Sequence, residues 1–385
     1  MRLNPYLRTK QEYTLFVYAQ KAAALREEGI DVIDLTIGDP LDDTFPAVRK
    51  TTSEALTKTT NSRYPKAAGE VEYLEAVAGW AKRNHHLELN PAKEILSCNG
   101  SKEAIFHVAM LFDWSDGSEV FIPSLSYPVY EASAALHGIP FRYLPLNEQG
   151  NFLPDLDALT ELDWQKCQMF WINSPHNPTT AIADKTYFEK LIALAEKYDF
   201  MICADECYND IFYTTEKPPS ILDCRSSNNW ILFRSLSKRS HMTGYRCGAI
   251  ISRNQEVVAA LKRMRAPMGQ GTPTFIQAGA AEAWKDDQHP KDFTIFYRQR
   301  KQLLQEALES KGFKIFGGGA SFYLWFSHPK IADSENILDL FLEEGIVITP
   351  GTAFGPDGKG YVRMIFCVTE NICRKTAARI KKLKI

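Results

Sequence analysis

From Glu94 to Ser252 the chain alternates short β-rich apolar runs with stretches whose apolar residues recur at helical spacing. The runs are EILSC, EVFIP, FRYLPL, QMFWIN, FMICAD, WILFRS and CGAIIS, separated by segments such as KEAIFHVAMLF and KTYFEKLIALAEKY. Apolar strands that alternate with amphipathic helices demand a mostly parallel sheet covered on both faces. CGAIIS follows WILFRS too closely for a helical crossover, which predicts one antiparallel strand. The expected class is α/β, with a mostly parallel seven-stranded sheet under helices in a large unit spanning 45–285.

A length of 385 residues exceeds what one core normally organises, so a second unit is expected. The C-terminal third has a different pattern: a long helical stretch near Pro290–Lys311, then FKIF, a GGGA turn, SFYLWF, IVITP and YVRMIF. This predicts a smaller α+β unit, 286–385. Residues 1–44 are too few for a core of their own and are expected to join it, leaving a cleft between the two units.

Charge narrows the partners. With a net charge of -2 and scattered Lys and Arg, nothing favours nucleic acid or an anionic membrane. No stretch is apolar enough to span a bilayer, and MRLNPYLRTKQEYTLF lacks a signal-peptide core, so a cytoplasmic protein is expected. The eight cysteines are dispersed without a CxxC pair, which points to reduced thiols and no metal site.

Ligands of open parallel sheets bind beyond the carboxyl ends of the strands, so the residues that follow each run are the candidates. EILSC leads to Asn99-Gly100-Ser101-Lys102 and a helix start, suited to a phosphate or to simple capping. EVFIP leads to Tyr127, a ring for stacking on a flat heterocycle or for packing on the core. QMFWIN leads to SPHNPT, where flanking prolines stiffen the turn that carries Asn177. FMICAD ends on Asp205, three residues before Tyr208; a buried Asp205 needs a partner, which a pyridinium N–H would supply. WILFRS leads to SLSKRSHMTGYRCG, with Ser235, Ser237 and Arg246 to meet a dianionic phosphate and Lys238 as an available amine, although a lysine in such a loop is more often a surface group.

One ligand would use all five features, and here the chain resembles the fold-type-I aminotransferases of class I/II, with IGDP, RYPKAAG, NGSKEA, NSPHNPT, ADECY, SLSK, SFYLW, PGTAFG and YVRM as the matching stretches. The resemblance implies pyridoxal 5′-phosphate as cofactor. It implies that Lys238 holds the cofactor covalently and moves the substrate proton, that Asp205 keeps the ring nitrogen protonated, and that Asn177 and Tyr208 bond the phenolic oxygen. Tyr127 would stack on the ring, and Gly100, Ser101, Lys102, Ser235, Ser237 and Arg246 would hold the phosphate. Tyr64 would reach the phosphate of a neighbouring subunit, making a homodimer with shared sites. Gly38, Asn177 and Arg363 would take the α-carboxylate of an amino acid. His241 departs from the lysine signature, which usually has a small residue or Asn there.

The branch that the chain most resembles is the succinyldiaminopimelate aminotransferases of lysine biosynthesis, carried by NGSKEAIFHVA, FLPDLDAL, ADECYNDIF, SLSKRS and EAWKDDQH. The implied reaction exchanges an amino group between glutamate and N-succinyl-2-amino-6-oxopimelate, with a second cation for the far carboxylate: Arg239, Arg63, Lys66 or His241. The alternatives are a related transaminase for aspartate, aromatic or LL-diaminopimelate substrates, and a C–S lyase on the same scaffold. A non-catalytic regulator domain fits poorly with Lys238, Asp205 and Arg363 present together.

Overall fold

A computed structural model describes residues 2–9 and 14–385. Its strands in chain order are β1 (Ile33–Asp34), β2 (Ile95–Cys98), β3 (Glu119–Pro123), β4 (Phe141–Leu144), β5 (Cys167–Asn173), β6 (Met201–Asp205) and β7 (Trp230–Ser235). They continue with β8 (Gly248–Ile251), β9 (Lys314–Phe316), β10 (Tyr323–Ser327), β11 (Ile346–Val347), β12 (Thr349–Pro350) and β13 (Tyr361–Ile365).

The seven-stranded sheet has the order β2-β8-β7-β6-β5-β3-β4. Its pairings are parallel except those that β8 makes with β2 and β7, as the short WILFRS–CGAIIS connection predicts. The central strands are buried, Gln168 in β5 apart, because helices cover both faces, which explains their largely apolar sequences. The helix Lys185–Tyr198 shows the local logic. Asp184 caps it by accepting from Tyr187 N–H, and Phe188, Leu191, Ile192 and Ala195 form its buried stripe. KEAIFHVAMLF is less regular than its spacing suggests, since the helix Ser101–His107 tightens into a 3₁₀ turn at Val108–Leu111.

The smaller sheet, β12-β13-β10-β9, is antiparallel. IVITP does not form one strand: β11 pairs in parallel with β1, while β12 joins β13. The N-terminal segment thus meets the C-terminal third through β1, and Ile33 and Leu35 share its core. Residues nearer the start lie elsewhere, with the Asn4 amide donating to the Leu136 carbonyl at 3.1 Å.

Behind the carboxyl ends of β6 and β7 lies a buried charge cluster. Asp210 pairs with Arg234, with Arg239 at 3.2 Å and with Lys217 at 2.9 Å. Against the burial that would raise it, Arg234, Lys217 and Arg239 hold the Asp210 carboxyl well below its ordinary range. Removing one member of a buried set strands the others as uncompensated charges. Asp210→Ala should therefore lower the unfolding free energy by about 3–5 kcal/mol, measured by denaturant titration. A loss below about 1 kcal/mol would mean that water already solvates these cations.

Candidate active site

The strand ends and the smaller sheet enclose a cavity of about 680 Å³. Ser101, Lys102, Tyr127, Asn177, Asp205, Tyr208, Ser235, Ser237, Lys238, Arg246, Gly38 and Arg363 all line it. Gly100 stands behind this wall with φ +76°, where a Cβ would lie 2.6 Å from the Arg246 guanidinium. Topology explains the gathering. β2, β3, β5, β6 and β7 end on one edge, and β8, running the other way, begins there at Gly248, so Arg246 arrives on the same edge as Lys238.

At one end of the cavity, hydroxyls and cations converge. Ser235 caps the turn Leu236–Arg239 by accepting from Ser237 N–H at 3.1 Å. Ser101 accepts from the Cys207 thiol at 3.1 Å, and Lys102 Nζ stands 5.7 Å from the Tyr127 ring centre. Burial, then the nearby Arg246 charge, lower the Lys102 pKa, as expected of two cations awaiting an anion.

The middle holds Asp205 and Lys238. Asp205 is 5% exposed and accepts from Cys207 N–H at 3.2 Å and from the Tyr130 hydroxyl at 2.7 Å, two uncharged donors. Burial raises its pKa. Lys238 donates to the Gly38 carbonyl, and enclosure of its amine lowers its pKa.

At the far end is Arg363, 4% exposed. It donates to Asn177 Oδ1 at 2.8 Å and to the Thr36 carbonyl at 2.5 Å, and its guanidinium lies between the rings of Tyr323 and Phe354 at 4.4 and 4.6 Å. Its Nε–H has no partner among the described residues, and neither acceptor is an acid.

The candidates for a distal cation are not in the cavity. Arg239 is turned away and committed to Asp210, Asp287 and the carbonyls of Ala283 and Asp286, because the residue after Lys238 faces the opposite side of the turn. His241, with φ 52°, stacks on Phe293 at 3.7 Å and meets the Tyr297 hydroxyl at 2.8 Å; burial pulls its pKa down to about 4, so it packs as a neutral ring. Arg63 and Lys66 are exposed, and Lys66 pairs with Glu70 at 3.4 Å. Tyr64 is fully exposed and outside its own chain's cavity.

Several lining residues escaped the sequence reading. Asn173 donates to the Asp205 carbonyl and accepts from Asn177 N–H, which locks two predicted groups together; a lone Asn closing an apolar strand was the available signal. Tyr323, in SFYLWF, looked like core. Tyr130 lies outside the lining set but grips Asp205 while stacking on Trp171 at 4.3 Å.

The chain matches the family described as aminotransferase class I and II over residues 30–380. An LL-diaminopimelate aminotransferase of Aquifex aeolicus is 37% identical over 362 residues, covering 93% of each chain. One of Maridesulfovibrio salexigens is 33% identical over 386 residues, covering 99% of each. Among solved structures, a probable N-succinyldiaminopimelate aminotransferase of Thermus thermophilus superposes with a TM-score of 0.88 at 28% identity, over 96% of this chain and 100% of that one. An aspartate aminotransferase of Thermotoga maritima does so at 0.88 and 26%, over 99% of each.

The family's cofactor is pyridoxal 5′-phosphate, and the cavity fits it on its own terms. Asp205, buried with only uncharged donors, suits a protonated ring nitrogen, and Ser101, Lys102, Ser235, Ser237 and Arg246 supply the hydroxyls and charges that a phosphate requires. By its sequence over nearly its whole length, its sheet order and this fit, the chain belongs to the class I and II aminotransferases and is a pyridoxal-phosphate-dependent transaminase.

Proposed function

We propose that the enzyme transfers an amino group between LL-diaminopimelate and 2-oxoglutarate, within diaminopimelate and lysine metabolism. The observation that carries an amino-acid substrate is Arg363, a buried guanidinium that lines the cavity and pairs with no acid among the described residues. The relatives named above support the choice of diaminopimelate. So does the charge of the cavity wall. Its cations Lys102, Lys238, Arg246 and Arg363 all have uses, whereas Asp39 is an exposed acid at the rim, accepting from Thr243 at 2.6 Å. The far end of LL-diaminopimelate carries an ammonium beside its carboxylate, which Asp39 attracts. An N-succinyl group replaces that ammonium with an amide ending in a further carboxylate, which Asp39 repels. The succinylated substrate is the second reading, favoured by the Thermus thermophilus structure.

In this reading Arg363, held by Asn177 and Thr36, clamps the substrate α-carboxylate bidentately beside Gly38. Bound pyridoxal phosphate withdraws electrons from the substrate α-carbon, so that its proton can leave. The Lys238 amine takes that proton and returns it, a role that the lowering of its pKa by burial favours. Asp205 would pair with the cofactor's protonated ring nitrogen, Asn177 and Tyr208 would bond its phenolic oxygen, and Tyr127 would stack on its ring. The unit 45–285 holds the cofactor, and the unit formed by 1–44 and 286–385 brings Arg363. Eight free cysteines, all but Cys224 buried, fit a reducing cytoplasm. The fully exposed Tyr64 serves the phosphate of a partner subunit in a homodimer.

Borohydride treatment followed by peptide mapping should place the cofactor on Lys238, and Lys238→Ala should keep bound cofactor while losing nearly all turnover. A label on another lysine would overturn the assignment.

With 2-oxoglutarate as acceptor, kcat/KM should be higher for LL-diaminopimelate than for its N-succinyl derivative. Asp39→Asn should narrow that gap by roughly tenfold, the worth of one bond to a charged group. Arg363→Lys should lower kcat/KM for both donors alike by about thirtyfold. A wild-type preference for the succinylated donor would establish the second reading.

Mixed dimers of Tyr64→Phe and Lys238→Ala subunits test the shared site. One site should contain both defects and the other neither, restoring about half a wild-type dimer's sites as active. Activity that follows only Tyr64 of the same subunit would sink the interface.

A further inference from the structure

Tyr323 has no part in the roles above, yet it meets three of the groups that carry them. Its hydroxyl lies 2.5 Å from that of Tyr208, and its ring lies 4.4 Å from the Arg363 guanidinium carbon. A Cβ on Gly38 would come within 2.7 Å of its oxygen, so the N-terminal segment crosses close above it only because residue 38 is glycine. Register places it there. β10 pairs Trp325 with Arg363, which sets Tyr323 one diagonal step away on the same face.

We propose that Tyr323 is a positioning residue whose hydroxyl donates to the Tyr208 hydroxyl and so aims the single Tyr208 hydrogen at the cofactor's phenolic oxygen. This rests on the Tyr208 role stated above. Each phenol owns one hydrogen, and the contact consumes only one of the two. A Tyr208 that donated to Tyr323 would have none left for the cavity. Among the described residues neither hydroxyl has another partner, so the direction of this one bond decides where Tyr208 points. Electrostatics favours the stated direction. Burial raises both phenols and Arg363 lowers both, but the guanidinium lies against the Tyr323 ring and is the leading influence that lowers Tyr323, whereas at Tyr208 it is the smallest of the influences named. The more acidic phenol is the better donor.

Tyr323 thus has two separable parts. The ring supports Arg363 and with it the substrate carboxylate, whereas the hydroxyl acts through Tyr208 on the cofactor. Tyr323→Phe removes only the second.

The test follows the absorbance of the bound cofactor across pH in the loaded enzyme, the affinity of apoprotein for added pyridoxal phosphate, and KM for glutamate. A hydrogen donated to the phenolic oxygen stabilises its negative form, so weakening that donor moves the titration midpoint to higher pH. Tyr323→Phe should raise the midpoint by about one unit, a tenfold change in the proton equilibrium. It should loosen the cofactor several-fold while leaving KM for glutamate near wild type. Tyr323→Leu should show the same midpoint together with a raised KM. Tyr208→Phe should shift the midpoint further, and adding Tyr323→Phe to it should change nothing more. A wild-type midpoint in Tyr323→Phe beside a shifted one in Tyr208→Phe overturns the inference alone. Additive shifts in the double variant also overturn it, because Tyr323 would then act independently of Tyr208. An unshifted Tyr208→Phe removes the Tyr208 role and this inference with it.

Discussion

The carboxylate of Asp210 holds Arg234, Arg239 and Lys217 together in a space that excludes most water, and the active site stands on that pairing. Neighbouring residues in a strand face opposite ways. Two partners of Asp210 are sequence neighbours of groups that line the cavity: Arg234 precedes Ser235 in β7, and Arg239 follows Lys238 in the helical turn beyond it. Glu206, next to Asp205, joins from the same side, 3.6 Å from Arg234. Each of these cavity groups thus has a charged neighbour anchored behind it, and the side chains in front inherit a fixed backbone.

The front of the site uses uncharged partners for charged groups. Asp205 is met by a backbone N–H and a phenol, and Arg363 by a carbonyl and an amide oxygen. Such partners fix orientation without neutralising charge, so the field of each group is kept for what binds between them. Behind, opposite charges cancel for stability. In front they are kept apart for chemistry.

Much of this was legible in the sequence, and the residues that were not share a cause. Strand ends announce themselves by an abrupt change from apolar to polar residues, which is how Asp205, Asn177 and the SLSK stretch could be found together. The antiparallel β8 was legible because its connection is too short for a helix. Tyr323 and Tyr130 were hidden because an aromatic ring in an apolar run looks like packing, and only the partner of its hydroxyl distinguishes the two uses. Arg239 failed as a substrate contact for a related reason. A basic residue beside Lys238 looks available in sequence, but in the helical turn its side chain leaves the cavity and pairs with Asp210. Diaminopimelate specificity was legible only to the level of a long diacid. The proposed distinction between an ammonium and a second carboxylate rests on Asp39, and the IGDP stretch that contains it does not disclose that its acid lines the cavity.

The reversed direction of β8 has a mechanical meaning. A crossover helix would have carried the chain to the opposite edge of the sheet and left the amine and the guanidinium on separate excursions. Instead Lys238 and Arg246 belong to one loop, pinned at its two ends by the pairing of Ser235 with Gly248. The distance between the amine and the guanidinium is therefore set inside the large sheet, by a loop closed on itself, and owes nothing to how the smaller sheet packs.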